Sequence, residues 1–363
     1  MAVNAVDALM RSGTAKGVFP GGVLLAGVKG KIVYHEAVGY ADLFSRRKMT
    51  TQTLFDLASL TKPLATALAL FTLHQEGRLD LDQPAAEILP FFHKKEKNRI
   101  TLRHLLAHES GFPAYRPYYL ELSRIPFLKR KSNLRDLLAA EKLEFPPGTR
   151  TLYSDPGFML LEWVVEAVSG KPLDVFLDTT LYADLFSPGE KGLFFPGISH
   201  AIRHESVAAT EFCPWRNRVM IGQVHDENAH VVGGVAGHSG LFGRAMDIWK
   251  LLTRLLEAFH GRDVVPLFSR ELLKEAFYPS APGKRALGFD TPSPEGPSCG
   301  RYFSLNTVGH LGFTGTSFWV DLDREVAVIL LTNRIHPTRR NEKIRIFRPL
   351  LHDTVMETAG ILS

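Results

Sequence analysis

The chain reads as an α/β protein built on one antiparallel sheet whose strands come from both of its ends, with a mostly helical stretch between them. Residues 23–28 and 31–39 alternate in polarity around Lys29-Gly30, the pattern of a strand, a tight turn and a second strand. Residues 318–320 and 326–332 repeat the pattern around Asp321-Leu322-Asp323-Arg324, and residues 342–356 read as a closing helix. The region between is dominated by helical periodicity and loops, and no internal repeat or low-complexity tract interrupts it.

The first chemistry-bearing segment follows the N-terminal hairpin. Leu57-Ala58-Ser59-Leu60-Thr61-Lys62-Pro63 places a hydroxyl and an amine three residues apart, on one face of a helix that Pro63 requires to start close to Ser59. Leu64, Leu68, Leu70, Phe71 and Leu73 make that helix apolar nearly all round, and Gly77 supplies a stop, so a buried helix of about four turns is expected. Burial and the positive end of the helix should both favour a neutral amine on Lys62, able to take the proton of the Ser59 hydroxyl. Ser45-Arg46-Arg47-Lys48 has the same spacing, but its charged neighbours read as a solvated loop. A serine at a helix start can also be a simple N-cap, so the motif needs support from elsewhere.

Two later segments supply it. Residues 146–157, rich in Pro and Gly, form a loop that delivers Tyr153 to the start of an amphipathic helix, where a phenol could serve as general base. Tyr40-Ala41-Asp42 and Tyr182-Ala183-Asp184 repeat the Y-x-D spelling, the first ending a strand-like run and the second inside a helical region. Farther on, Gly309-His310-Leu311-Gly312-Phe313-Thr314-Gly315 enters a strand, and its glycines predict a close approach of backbone or ligand, with an N–H available to an oxyanion.

In order and spacing, Ser59-Leu60-Thr61-Lys62, Tyr153-Ser154-Asp155 and His310-Leu311-Gly312 resemble the signature of the serine β-lactamase and penicillin-binding protein superfamily. The tyrosine in the middle element is similar to the class C branch and its related esterases. The resemblance extends to Phe19-Pro20-Gly21-Gly22, to residues 101–113 and to Leu331-Thr332-Asn333-Arg334. Residues 224–229 and 233–242 resemble a sub-branch of cell-wall peptidases and muropeptide amidases. The resemblance implies a β-lactamase/transpeptidase-like sandwich, with residues 1–75 and 240–363 as a discontinuous α/β domain, residues 76–239 as the helical insertion, and the active site in the seam. It also implies roles: Ser59, Lys62 and Tyr153 catalytic, the N–H groups of Ser59 and Phe313 as oxyanion hole, and Asp155, His310 and Gly312 at the substrate. The alternative register, Phe313-Thr314-Gly315, lies three residues on.

Two positions depart from the family pattern. Asp155 stands where many β-lactamases have asparagine, and His310 where they have the lysine that fixes a positive charge beside the substrate carboxylate. Strong β-lactamase activity is therefore not expected, and a histidine there should change charge across pH 6 to 7, where imidazole titrates. The expected activity is hydrolysis of a small ester or a peptidoglycan-derived amide through an acyl-enzyme. A D-amino-acid-specific peptidase, a weak penicillin-binding protein or an inactive binding scaffold are the alternatives. No cofactor is expected: His225, Asp226, Glu227, His230 and His238 cluster in sequence, but with neither H-E-x-x-H nor a cysteine-histidine zinc spacing.

Composition agrees with a soluble enzyme and says little more. At 363 residues and 45% hydrophobic content the chain can bury a large core, and its +5 net charge is dispersed, so neither nucleic acid nor membrane is an expected partner. Lys94-Lys95-Glu96-Lys97 and Lys129-Arg130-Lys131 read as solvated loops, and Cys213 and Cys299 as free thiols. Residues 1–13 lack the layout of a signal peptide, so as written the chain is expected in the cytoplasm, or outside it had a leader been removed.

Overall fold

A computed structural model describes residues 2–93, 96–187, 189–190, 192–197, 202–279 and 284–358. Its centre is a six-stranded sheet, antiparallel at every pairing, formed by β1 (Gly21–Val28), β2 (Lys31–Asp42), β3 (Arg47–Lys48), β4 (Thr307–Leu311), β5 (Thr316–Asp321) and β6 (Val326–Thr332) in the order β3-β2-β1-β6-β5-β4. The two ends of the chain meet at the middle of the sheet, where Leu24 faces Leu330 and Ala26 faces Val328. Both hairpins expected from the alternation are present, and an additional strand, β4, joins the C-terminal one.

Period two explains why the sheet is covered on both faces. Leu24, Ala26, Val328 and Leu330 point to one side, where they pack with Val6 and Met10 of α1 (Ala2–Ala15) and Phe347, Leu351 and Val355 of the closing helix (Ile344–Thr358). Val23, Leu25, Ile329 and Leu331 point to the other side, where Ile248, Leu252, Leu255 and Phe259 of the helix Ala245–Phe259 meet them. Those four recur at helical spacing, so burying them fixes which face of their helix meets the sheet; each fully buried side chain contributes about 1.5–3 kcal/mol. We number the longer helices α1, α2 (Leu68–Gln75), α3 (Phe127–Ala140), α4 (Asp155–Ser169), α5 (Ala245–Phe259) and α6 (Ile344–Thr358).

Residues 58–75 differ from the single regular helix expected. A 3₁₀ turn (Ala58–Leu60) passes into a π-helical stretch (Lys62–Ala67) and only then into α2. The reason is local: the carbonyls of Gly237 and His238 accept from Thr66 Oγ1 and Lys62 Nζ, the Leu241 N–H donates to Thr61 Oγ1, and a proline at 63 withholds an N–H.

Two lysine-rich segments also differ from expectation. Lys97 is fully buried, donating to the carbonyls of Leu138 (3.1 Å) and Ala139 (2.8 Å) at the end of α3, where helix carbonyls lack intrahelical partners. Lys129, Arg130 and Lys131 are not loop at all but lie in α3, and Lys131 pairs with Glu162 and Glu166 of α4. Lys94 and Lys95 lie outside the described residues. Cys213 and Cys299 are free and buried. Among the described residues no helix is long and apolar enough to cross a membrane.

Candidate active site

Ser59, Tyr153, His310, Gly312 and Phe313 line one cavity of about 330 Å³, together with Leu311, Asp290, Arg334, Glu342, Ile344, Arg345 and Arg348. Lys62 lies beneath it, fully buried, and donates to Ser59 Oγ at 3.2 Å and to the carbonyl of His238 at 3.0 Å. A roomier cavity of about 440 Å³, lined by Thr14, Phe19, Tyr40 and His336 among others, holds none of the predicted site residues.

The backbone ahead of the serine is strained. Ala58 has φ 49°, a left-handed conformation that costs a residue with a Cβ about 1 kcal/mol or more. Asp56 holds it there, accepting from the Ala58 N–H at 2.9 Å with one oxygen and from the His225 N–H at 2.6 Å with the other. Thr314 Oγ1 donates to the Asp56 carbonyl (2.8 Å) and Thr316 Oγ1 to that of Leu57 (3.1 Å), fastening the β4–β5 turn to the serine segment. Gly312 permits this approach: a Cβ there would stand 2.7 Å from the Leu57 carbonyl oxygen and 1.9 Å from Thr316 Oγ1. The result sets the amides of Ser59 and Phe313 at one cavity, and neither donates to another group among the described residues. Thr314 and Gly315 face inward and away, so the register that meets the cavity is His310-Leu311-Gly312.

Tyr153 is delivered as the loop-to-helix reading anticipated. Ser154 caps α4 by accepting from the Gly157 N–H at 3.3 Å and donates to the Pro113 carbonyl at 2.8 Å. The His108 ring lies 4.5 Å from the Tyr153 ring, and its Nδ1 accepts from the Ser154 N–H at 3.0 Å. His310 flanks the phenol from the other side at 5.8 Å. Burial raises the Tyr153 pKa above its ordinary value, against the pull of Lys62 and Ser59, so the resting group is the phenol and not the phenolate.

Lys62 departs from the neutral amine expected. Burial alone would strip its proton, but Asp155 Oδ1 lies 2.7 Å from Nζ and Tyr153 adds to the same effect, so the lysine pKa is raised and the ammonium persists.

His310 requires a second correction. Its pKa is lowered to about 4, by burial first, with Lys62 and Arg285 also opposing a charge and Asp290 favouring it. Nδ1 faces the Leu311 carbonyl at 2.9 Å, which makes it the protonated nitrogen and leaves Nε2 without a partner. The imidazole is therefore neutral across pH 6 to 7 and does not stand in for a lysine there.

The histidine-rich block has work other than metal ligation. His225 Nε2 meets Glu211 Oε2 at 2.9 Å and its ring stacks on Phe313; Asp226 Oδ1 meets His238 Nε2 at 2.9 Å; Glu227 and Glu211 both hold Arg339. Asn228 accepts from the Tyr119 N–H and donates to the Arg116 carbonyl. These residues thus brace Asp56, the His238 carbonyl and Phe313 from behind. Ser45 is spent on Asp42, 2.6 Å away, and Tyr182 donates to the Leu64 carbonyl, so neither competing motif reaches the cavity.

Sequence reasoning missed the cavity's cationic wall of Arg334, Arg345 and Arg348. One signal was present: in α6 the buried positions Ile344, Phe347, Leu351 and Val355 make an apolar stripe, and Arg348 and His352 fall on it.

A sheet closed by both termini, a helical insertion and a serine-lysine pair at their junction define the class of serine β-lactamases and penicillin-binding proteins. The chain belongs to the beta-lactamase family, whose sequence profile matches residues 6–351; it is a hydrolase of that family. It is 33% identical over 361 residues to the N-acetylmuramyl-L-alanine amidase of Bacillus subtilis (strain 168), covering 92% of this chain and 81% of the relative. A protein of Escherichia coli (strain K12) named "Putative D-alanyl-D-alanine carboxypeptidase" is 33% identical over 338 residues, covering 84% of this chain and 76% of that protein. In fold it is similar to a penicillin-binding protein homologue from Caulobacter crescentus, with TM-score 0.73 and 20% identity, covering 98% of this chain and 97% of that one.

Proposed function

We propose that the protein is a serine hydrolase that works through an acyl-enzyme formed on Ser59, with a small ester or a peptidoglycan-derived amide as substrate. The observation that carries the reading is Lys62, fully buried with Nζ 3.2 Å from Ser59 Oγ and 2.7 Å from Asp155 Oδ1. A substrate that covers the cavity excludes water and lowers the local dielectric, which narrows the gap between the Lys62–Asp155 ion pair and its neutral form. With the proton on Asp155, the amine of Lys62 accepts the Ser59 hydroxyl proton as Oγ bonds to the substrate carbonyl carbon. The carbonyl oxygen then carries the negative charge, opposite the N–H groups of Ser59 and Phe313. As the adduct collapses, the bond to the leaving oxygen or nitrogen breaks and Tyr153, kept as a phenol by burial, gives that atom its proton; the phenolate then takes a proton from the water that attacks the acyl carbon, and Lys62 returns its proton to Ser59 Oγ as the acid leaves. His310, uncharged, shapes the cavity wall beside the phenol.

The amide half of the reading is supported by the names of the amidase and carboxypeptidase relatives. The test is labelling with a fluorophosphonate and with a labelled penicillin, followed by peptide mapping. Fluorophosphonate label on the Ser59 peptide is the expected result. Penicillin on the same serine would move the reading toward a penicillin-binding protein, and no label from either reagent would leave a binding scaffold.

A further inference from the structure

The fold gathers on one face charges that the sequence disperses. Residues 115–131 carry Arg116, Arg124, Lys129, Arg130 and Lys131 and a single acid, Glu121. Apolar side chains of the same segment turn outward: Leu128 is 93% exposed, Leu120 48% and Phe127 45%. The segment packs on the short helix Glu227–Val231, where Asn228 accepts from the Tyr119 N–H at 2.9 Å and the Val231 carbonyl accepts from Arg130 at 3.2 Å. Just beyond that helix, a Cβ on Gly233 would stand 3.5 Å from the Phe127 ring. Trp215, 38% exposed, completes the patch, with the Tyr119 ring edge-on at 5.0 Å and the His230 ring at 6.1 Å. Arg216, Arg218 and Arg130 all lie close enough to His230 to help burial lower its pKa to about 4. Among the described residues none of Arg124, Lys129, Arg130, Arg216 and Arg218 pairs with an acid; Arg218 donates to the Gln223 side chain, and Arg130 and Arg216 donate to main-chain carbonyls.

Leucine and phenylalanine left in water gain free energy among acyl chains, tryptophan and tyrosine favour the boundary between chains and headgroups, and lysine and arginine reach from there to phosphates. We propose that this face docks the protein on an anionic lipid surface, with Phe127 and Leu128 entering the boundary and Arg124, Lys129 and Arg218 meeting lipid phosphates. The contact is peripheral, since the patch lies on the bilayer and no part of it spans. A second copy fits poorly, because a two-fold contact would set these cations against their own images. Nucleic acid fits less well than lipid, because Leu120 and Leu128 offer bases no ring to stack on. Docking uses none of the groups around Ser59, so it stands or falls apart from the hydrolase reading.

The test is co-sedimentation with vesicles of phosphatidylcholine alone and of phosphatidylcholine mixed equally with phosphatidylglycerol. The native protein should bind the mixed vesicles and not the neutral ones, and added salt should release it. Leu128→Asp should weaken binding by roughly 10-fold or more, and Lys129→Gln by roughly 5-fold. Leu128 lies in the first turn of α3, where the helix dipole favours an aspartate, so the thermal midpoint of Leu128→Asp should hold. Trp215 reports the contact directly: Trp163, Trp249 and Trp319 are buried, so a blue shift of emission on mixed vesicles should arise from Trp215 and vanish in Trp215→Phe. No binding to mixed vesicles, or equal binding by the native protein and Leu128→Asp, overturns the proposal. In a protein that ignores vesicles, a dimer abolished by Leu128→Asp would assign the patch to a second copy, and binding of single-stranded DNA would assign it to nucleic acid.

Discussion

Two cations are buried beside the same cavity, and their surroundings are opposite. Lys62 has Asp155 at 2.7 Å, a serine hydroxyl and a main-chain carbonyl around its ammonium. Among the described residues Arg348 has none of these, and its Nε is buried without a partner. A charge compensated from within can shuttle a proton between internal partners, whereas a charge left open is stabilised only by something that arrives. The comparison separates the half of the cavity proposed to react, around Ser59, from the arginine-bearing half on α6.

The hardest blow to the reacting half is removal of the attacking atom. Ser59→Ala should lower 4-nitrophenyl ester turnover by about four orders of magnitude or more while the thermal midpoint stays put, because only the nucleophile is lost. Ser45→Ala should leave turnover unchanged, its hydroxyl being committed to Asp42. Interchange of the two phenotypes would place the chemistry elsewhere and dissolve the contrast.

The contrast itself is sharpened by making each cation resemble the other. Asp155→Asn leaves Lys62 buried without its counter-charge, and breaking a buried pair in this way should cost about 3–5 kcal/mol of stability. Arg348→Met removes a buried charge that has no ion-pair partner among the described residues, so stability should hold or rise, by about 1 kcal/mol or more. Urea denaturation of both variants checks the opposite signs. Equal losses would mean that Arg348 is as well compensated in the resting protein as Lys62.

That Ser59 and Lys62 would come together was legible in the sequence because their spacing is local. Ser59 and Lys62 are three residues apart, Tyr153 sits next to a helix cap, and Gly312 stands where the strand backbone touches the serine segment. The sheet was legible for the same reason, since alternation about a turn needs only neighbours. The protonation states were not, because they depend on which distant groups fold against them: Asp155 keeps Lys62 charged, and burial keeps His310 neutral. Arg348 belongs to that second kind. Its place on an apolar stripe could be read, but that no described acid pairs with it depends on packing between α6, the β4–β5 turn and the loops around them.

The last comparison concerns His310, which lines the same cavity as Ser59 and Arg348. With its pKa lowered to about 4, the folded protein resists a proton that the unfolded chain binds near pH 6.5. Between those values the unfolded state holds more protons, so stability rises with pH there; the contribution is complete above pH 6.5 and is lost as pH falls toward 4. It amounts to about 3 kcal/mol. Other buried histidines, among them His230 with a pKa lowered to about 4, add slopes of the same sign. The native protein must therefore be compared with His310→Gln, which stays neutral throughout. The loss of unfolding free energy between pH 7 and pH 4 should be smaller in His310→Gln by about 3 kcal/mol. In the native protein the ratio of turnover for carboxylate-bearing and neutral esters should be flat from pH 6 to 7, because neither Arg348 nor His310 changes charge in that interval. A ratio that climbs as the pH falls from 7 to 6 would show an imidazolium facing the substrate.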